Sequence, residues 1–322
     1  MGTVVALAAQ VGGAKLADGL YRLRGRELTV IVNTGDDYEY LGLRFAPDLD
    51  TVLYALAGIA SVGAGWEPEG ETRTVQNMLK ALGGPDRPII GDRALGAPIL
   101  RTEWLRNERS LTEITMEFSR RLGIQARILP MSDDLVRTYV LTDGGAVTFH
   151  EYFSDLACEP KVRGFDYVGA ADARLSDEVL DALHATSLEA VIIAPCNPYH
   201  AIRPILEVNG MRELLKKRGA PVIAITPIVG GKAVKGSAGK MMRELGREPS
   251  ALAAAGEYLR IIDGFVIDRE DAALAPAVRS LGLEVLVAQT VMRTDENRLS
   301  LARAVLDFAD MIRETKAAEV GS

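Results

Sequence analysis

The sequence predicts an α/β fold, a Rossmann-like three-layer αβα arrangement with a mainly parallel sheet and a helical and hairpin insertion. Three observations predict it. Apolar, β-branched runs recur along the chain with helical segments between them. The stretch from about residue 50 to 122 reads as consecutive helices with no strand. Two polar segments, one rich in glycine and one in aspartate, begin where the first two apolar runs stop. Open α/β sheets place ligands there, beyond the carboxyl ends of their strands.

The elements follow in order. Thr3-Val-Val-Ala-Leu7 is a short apolar strand, followed by Ala8-Ala-Gln-Val-Gly12-Gly13-Ala-Lys15 and a helix from about residue 14 to 23. Strand, glycine turn and helix start together point free backbone N–H groups at an anion. The segment is neither G-x-G-x-x-G nor a P-loop, and the same glycine pair also suits close packing of helix on strand. Leu28-Thr-Val-Ile-Val32 is a second, buried strand, and Asp36, Asp37, Asp48 and Asp50 lie beyond it. Two carboxylate pairs at a sheet edge repel each other unless a divalent cation or a metal-bound phosphate neutralises them. The plainer reading is that Asp36 and Asp37 form a turn and Asp48 caps a helix starting near Leu49.

After the helical stretch come Ala126-Arg-Ile-Leu129 and two short runs, Val136–Leu141 and Ala146–Phe149, joined by the hairpin turn Thr142-Asp-Gly-Gly145. Strands over Leu188–Ile193, Pro221–Ile225, Gly264–Ile267 and Leu283–Val287 then alternate with helices over 176–183, 211–218, 236–245, 272–281 and 298–315. No repeat, low-complexity tract or linker divides the chain. It reads as a single domain over 1–322, with a core of about 1–50 and 160–322 and an insertion of about 51–159.

The net charge of −7 argues against a nucleic-acid surface. No apolar run reaches membrane-spanning length, and the N-terminus lacks a charged region ahead of an apolar one. Two cysteines, Cys158 and Cys196, stand far apart without metal-ligand spacing, which suits a reducing cytoplasm. Asn197 lies between Pro195 and Pro198, so its amide can read a base edge or a phosphate, or simply sit in a proline-locked turn. Thr226, Gly230 and Gly231 follow a strand and lead to Lys232, Lys235, Gly236 and Lys240, a set suited to a diphosphate. Gly91-Asp92-Arg93 and Met131-Ser-Asp-Asp134 can each cap a helix or form a turn, and Trp66 reads as a lid on the core rather than a stacking surface. The three histidines, His150, His184 and His200, share no metal spacing, and no Gly-x-Ser-x-Gly elbow occurs. Aspartates, lysines and backbone amides remain, which suits metal-assisted phosphoryl transfer.

These segments together resemble one family. Val11-Gly-Gly-Ala-Lys15, Asn33-Thr-Gly-Asp-Asp37, Pro47-Asp-Leu-Asp-Thr51, Gly91-Asp-Arg93 and Ile128-Leu-Pro-Met-Ser-Asp-Asp134 are similar, in order, to motifs of the 2-phospho-L-lactate transferases (CofD/FbiA) of coenzyme F-420 biosynthesis. Cys196-Asn-Pro198, Pro204-Ile-Leu206, Pro227–Gly231 and Val234-Lys-Gly236 continue the likeness. The resemblance implies transfer of a phospho-acid from a GMP-activated diphosphate to the ribityl hydroxyl of the deazaflavin Fo, with GMP released and Mg2+ as cofactor. It implies a separate guanylyltransferase that supplies the donor, and a homodimer. Carried over, Asp37 and Asp50 serve magnesium and the attacking hydroxyl, with Asp36 and Asp48 supporting as metal ligands. Asp50, Asp92 and Arg93 border Fo. Gly12, Gly13 and Lys15 approach the diphosphate, while Asn197, Thr226, Gly230, Gly231, Lys235 and Gly236 hold the guanosine phosphate side. Ala9, Gln10, Ala94, Ala97-Pro98 and Cys196 depart from the family pattern. Phospholactate, phosphoenolpyruvate and 3-phosphoglycerate all remain open as the acid. A non-catalytic alternative is the related YvcK-type regulators that bind nucleotide sugars. A generic NAD(P) enzyme fits poorly without G-x-G-x-x-G.

Overall fold

A computed structural model describes residues 2–217 and 219–320, with side chains to residue 318. Arg218, the end of the helix expected over 211–218, lies outside the described residues. The centre is a seven-stranded sheet, parallel throughout. In chain order its strands are β1 (Thr3–Ala8), β2 (Leu28–Val32), β3 (Arg127–Pro130), β4 (Leu188–Ile193), β5 (Val222–Ile225), β6 (Gly264–Asp268) and β7 (Glu284–Ala288). Across the sheet they run β7-β6-β5-β4-β1-β2-β3. The inner strands are buried along nearly their whole length, which is why they read in sequence as unbroken apolar runs.

The chain winds from β1 outward through β2 to β3, then returns to β4 on the other side of β1 and winds the opposite way. Strand order therefore reverses between β1 and β4. The loops leaving two such neighbours diverge to opposite faces and leave a crevice at the carboxyl edge. Helices α1 (Gln10–Arg24), α2 (Pro47–Leu56) and α3 (Asp295–Val320) flank the sheet, with α1 packed between α2 and α3.

Three features differ from the sequence expectation. Helix α1 starts at Gln10 rather than near residue 14, because Gln10 takes a φ of 53° and turns the chain straight out of β1. Gly12 and Gly13 thus stand in the first helical turn. A hairpin, Tyr38–Tyr40 with Leu43–Phe45, separates the two aspartate pairs. Its two-residue turn, Leu41-Gly42, has both φ values positive, the geometry a tight hairpin demands. The insertion's hairpin, Arg137–Thr142 with Gly145–Thr148, turns at Asp143-Gly144 and gains a third antiparallel strand, Val162–Val168. Among the described residues no helix is long and apolar enough to cross a membrane.

Candidate active site at the strand-order reversal

The crevice between β1 and β4 is built by close approach. A Cβ on Gly12 would stand 2.8 Å from the Pro195 carbonyl oxygen, and one on Gly13 2.9 Å from Cys196 Sγ. The Cys196 thiol donates to the Ala9 carbonyl at 3.0 Å. The glycine pair therefore does serve helix–strand packing, and that packing sets the first turn of α1 against the loop after β4. The Gln10 N–H is spent on Asp48 at 2.8 Å. Val11 and Gly12 follow it in the first turn, where a helix supplies no acceptor of its own. Lys15 donates to the Met292 carbonyl at 3.0 Å. Its pKa is lowered first by burial, then by Arg298 and Lys235, so these three cations share one region beside α1. Lys235 also reaches the Ala64 carbonyl at 3.2 Å and lies 4.8 Å over the Trp66 ring. Trp66 is 53% exposed. It is a platform for that ammonium, not the core lid expected from sequence.

All four aspartates are buried, and each is compensated differently. Asp48, in the first turn of α2, accepts from Gln10 N–H through one oxygen and from Asn33 Nδ2 at 2.9 Å through the other. It caps the entry to α1 rather than its own helix. Burial first, and then Asp36, push its carboxyl up to about 7. Asp50 is gripped by both terminal nitrogens of buried Arg101. Burial raises its pKa while Arg101 opposes the rise. Asp36 meets Nδ1 of buried His200 at 2.8 Å through one oxygen. Asp37 closes the turn through its N–H to the Thr34 carbonyl at 3.2 Å. Burial holds the Asp37 carboxyl well above the ordinary range, against the pull of Arg137, Arg101 and Arg44.

Two of these carboxylates keep an unused atom. Oδ1 of Asp36 and Oδ1 of Asp37 are buried with no hydrogen-bond partner, as are the hydroxyls of Thr34 and Thr138 and Nε of Arg101 near them; Tyr40, Gln76, Thr112, Tyr258 and Arg298 hold further such atoms elsewhere. Unpaired buried polar atoms are costly, so their concentration at one place marks where a polar ligand belongs. No three His, Cys, Asp or Glu side chains among the described residues converge to hold a metal unaided. Magnesium needs no such cage: it takes one or two carboxylates with substrate phosphates and waters. The free oxygens of Asp36 and Asp37 fit that demand, whereas those of Asp48 and Asp50 are engaged.

Other expected residues are tied up locally. Asn197 caps the π-helical segment Pro198–Ile202, accepting from Tyr199 N–H at 2.9 Å and touching Met241 Sδ at 3.3 Å. The Thr226 hydroxyl closes its own turn with Ile228. Gly230 and Gly231 form the positive-φ turn of a small hairpin, with Gly230 N–H on Asp271 at 3.1 Å, and Gly236 also has positive φ. In the insertion, Asp92 accepts from the Thr72 hydroxyl and from the N–H groups of Thr74 (2.9 Å) and Val75 (3.0 Å). It caps the helix Thr74–Ala81, not the one that follows it, and these bonds lower its pKa to about 2. Arg93 holds the Glu69 carbonyl at 2.6 Å.

Arg44, Arg101 and Arg137 have no counterpart among the residues singled out from sequence, and His200 figures there only as one of three histidines without metal spacing. Their partners lie far along the chain: His200 is 164 residues from Asp36, and Arg101 is 51 from Asp50. A faint signal existed for His200 alone, since it follows Cys196-Asn-Pro198 after an apolar strand. It stacks on Phe149 at 3.7 Å, and its Nε2 faces the Gln10 amide at 3.4 Å.

A family model described as 2-phospho-L-lactate transferase CofD matches residues 4–302. The chain belongs to that family. A protein of Methanosarcina mazei named 2-phospho-L-lactate transferase is 40% identical over 296 residues, covering 92% of this chain and 96% of that one. One of Streptomyces griseus named phosphoenolpyruvate transferase is 36% identical, covering 96% and 99%. Among solved structures, a Bacillus halodurans protein of the UPF0052 family superposes with a TM-score of 0.63 at 17% identity, covering 95% of this chain and 99% of that one, which shows the shared fold alone. Membership in the CofD family makes the chain an enzyme that transfers a phosphate-bearing group, and the non-catalytic regulator reading falls away.

Proposed function

We propose that the protein serves coenzyme F-420 biosynthesis by moving a phospho-acid from a GMP-activated diphosphate donor to the terminal ribityl hydroxyl of the deazaflavin Fo. The observation that carries this reading is the pair of free, buried oxygens on Asp36 and Asp37, with Asp36 linked through His200 to Gln10 at the start of α1. The hydroxyl oxygen attacks the distal phosphorus, the bond from that phosphorus to the GMP oxygen breaks, and GMP leaves with its electron pair. Asp37 takes the hydroxyl proton. In the metal-free protein burial holds its carboxyl above the ordinary range, and a general base works best with a pKa near the working pH. Asp36 and Asp37 would hold magnesium, which supplies charge neutralisation on the diphosphate. Asp48 fixes the start of α1, and Asp50 holds Arg101 beside Asp37.

Gly12, Gly13, Lys15 and Lys235 serve the diphosphate, with Arg298 adding charge. Asn197 and the loop from Thr226 to Gly236 border the guanosine side, and Asp92 and Arg93 stiffen the insertion loop that faces Fo. The relatives' names, 2-phospho-L-lactate transferase and phosphoenolpyruvate transferase, support a small phospho-acid as the transferred group. The working compartment is the cytoplasm, where a separate guanylyltransferase makes the donor, and the enzyme acts as a homodimer. The test is a coupled reaction with Fo, GTP, magnesium, a guanylyltransferase and each phospho-acid in turn, read by product mass. A phosphodiester of Fo with one acid is expected. Absence of such a product with every acid, while the guanylyltransferase demonstrably forms each donor, overturns the reading.

A further inference from the structure

We propose that Arg44 and Arg137 form the site for the carboxylate of the transferred acid, so that they, and not the phosphate-facing turn of α1, recognise the acid end of the donor. The proposal rests on the transferase reading above and adds to it the place where the acid is held.

Two guanidinium groups near Asp37 close no ion pair. Among the described residues neither Arg44 nor Arg137 forms an ion pair, although both lie close enough to Asp37 to act on its charge. The side chain of Arg137 is largely withdrawn from water and makes one hydrogen bond, to the Val136 carbonyl at 2.8 Å. Burial is the first cause lowering its pKa; Asp37 opposes the lowering and Arg44 adds to it. A part-buried guanidinium that closes no hydrogen-bonded ion pair is costly unless a ligand completes it. Arg101 is already committed to Asp50, and its Nη1 holds the Arg44 carbonyl at 3.2 Å, which fixes the strand that carries Arg44.

The framework around these two arginines is rigid. The Arg44 N–H donates to Thr102 Oγ1 at 2.8 Å, locking the hairpin to the helix Gly96–Arg106. Next to Arg137, the Thr138 N–H donates to the Gly35 carbonyl at 2.8 Å, which ties the insertion strand to the turn that carries Asp36 and Asp37. The buried, unpartnered hydroxyl of Thr138 belongs to the strand of Arg137, and that of Tyr40 to the hairpin strand paired with the one carrying Arg44. Arg44 also lines an open surface depression of about 380 Å³ with Glu39, Gly42, Thr102, Leu105 and Arg106.

Placement favours a carboxylate over a phosphate. The α1 turn with Lys15, Lys235 and Arg298 stands at the strand-order reversal, whereas Arg44 and Arg137 stand beyond Asp37, on the hairpin and the insertion sheet. A donor with its diphosphate at α1 carries its acid outward past Asp37 toward them. Phospholactyl, phosphoenolpyruvyl and phosphoglyceryl groups all have one carboxylate, and a guanidinium fork matches a carboxylate with two parallel hydrogen bonds.

The test compares three ligands by calorimetry in magnesium: GDP, the guanosine diphosphate isopropyl ester, and the acid-bearing donor that wild-type enzyme turns over. Against a phospholactyl donor the ester keeps guanosine and diphosphate and lacks only the carboxylate; for a phosphoenolpyruvyl or 3-phosphoglyceryl donor the isopropenyl or 2-hydroxypropyl ester takes its place. Wild type is expected to bind the donor about 10- to 100-fold more tightly than the ester, the range for a charge-assisted hydrogen-bonded pair. In Arg137→Met and Arg44→Met that preference falls toward one, while GDP affinity stays within about threefold; Arg137→Lys keeps the charge, loses the fork and falls between. Equal weakening of all three ligands in the Met variants would assign the arginines to the diphosphate and overturn the proposal. An undiminished preference would also overturn it. If Arg137→Met fails to melt cooperatively, Arg44→Met and Arg137→Lys carry the comparison. Product formation by wild type, measured alongside, judges the transferase reading separately.

Discussion

Arg101 and Asp50 show why single residues at this site cannot be judged by charge alone. Both are buried, and the guanidinium fork closes on the carboxylate with two nitrogens. A buried pair is a poor source of net stability, but breaking it strands a charge. Arg101→Met is expected to lower unfolding free energy by about 3–5 kcal/mol in urea titration. Arg101→Met with Asp50→Leu should recover much of that loss. A loss under about 1 kcal/mol in the single variant would mean that Asp50 finds water or another partner. At this scale the sequence was informative about which residue types gather and silent about how they are compensated. Four aspartates past one strand are visible in the chain. That Arg101 answers Asp50, His200 answers Asp36 and Asn33 answers Asp48 depends on contacts from other elements, which local pattern does not encode.

At the scale of elements, helix α1 is the part whose position matters most. Its entry is fixed by Gln10 in a left-handed conformation with its N–H on Asp48, and its first turn lies against the loop after β4. Gly12→Ala would put a methyl group 2.8 Å from the Pro195 carbonyl oxygen, and backbone at both sides leaves little room to yield. Overpacking of this kind costs about 1–3 kcal/mol. Since the shift displaces the turn that faces the crevice, GDP affinity should fall along with stability. A variant that melts lower but binds GDP unchanged would separate α1 from the phosphate site. The β strands were legible because burial on both faces leaves continuous apolar runs. The hairpin at 38–45 was not: strands of three residues give no measurable alternation, and Leu41 carries a positive φ that its side chain does not advertise.

Across the whole molecule the buried carboxyls set a pH response. The folded pKa of Asp48 is pushed up to about 7, above its unfolded value, and those of Asp37 and Asp50 move in the same direction. Such groups bind protons better folded than unfolded, so the stability they contribute is complete below the unfolded pKa and is lost as pH rises through the folded one. Thermal melts of the protein without ligands should therefore show Tm falling from pH 6 to pH 8. A Tm that rises over that interval would contradict the burial assigned to these carboxyls. The parallel sheet and its insertion were readable from the alternation of runs. The reversal between β1 and β4, which creates the crevice, became visible only once the strands were ordered in space. The motifs around it were legible as segments, and their convergence was not.

The most direct test of the central claim is turnover by Asp37→Asn with Fo and donor both saturating. The substitution keeps the size of the side chain and removes its ability to accept a proton. The account predicts a fall in kcat of about 100-fold or more, the scale of a lost general base, with affinity for Fo within about threefold of wild type. Turnover near the wild-type rate would contradict it and move the chemistry away from the buried aspartate pair.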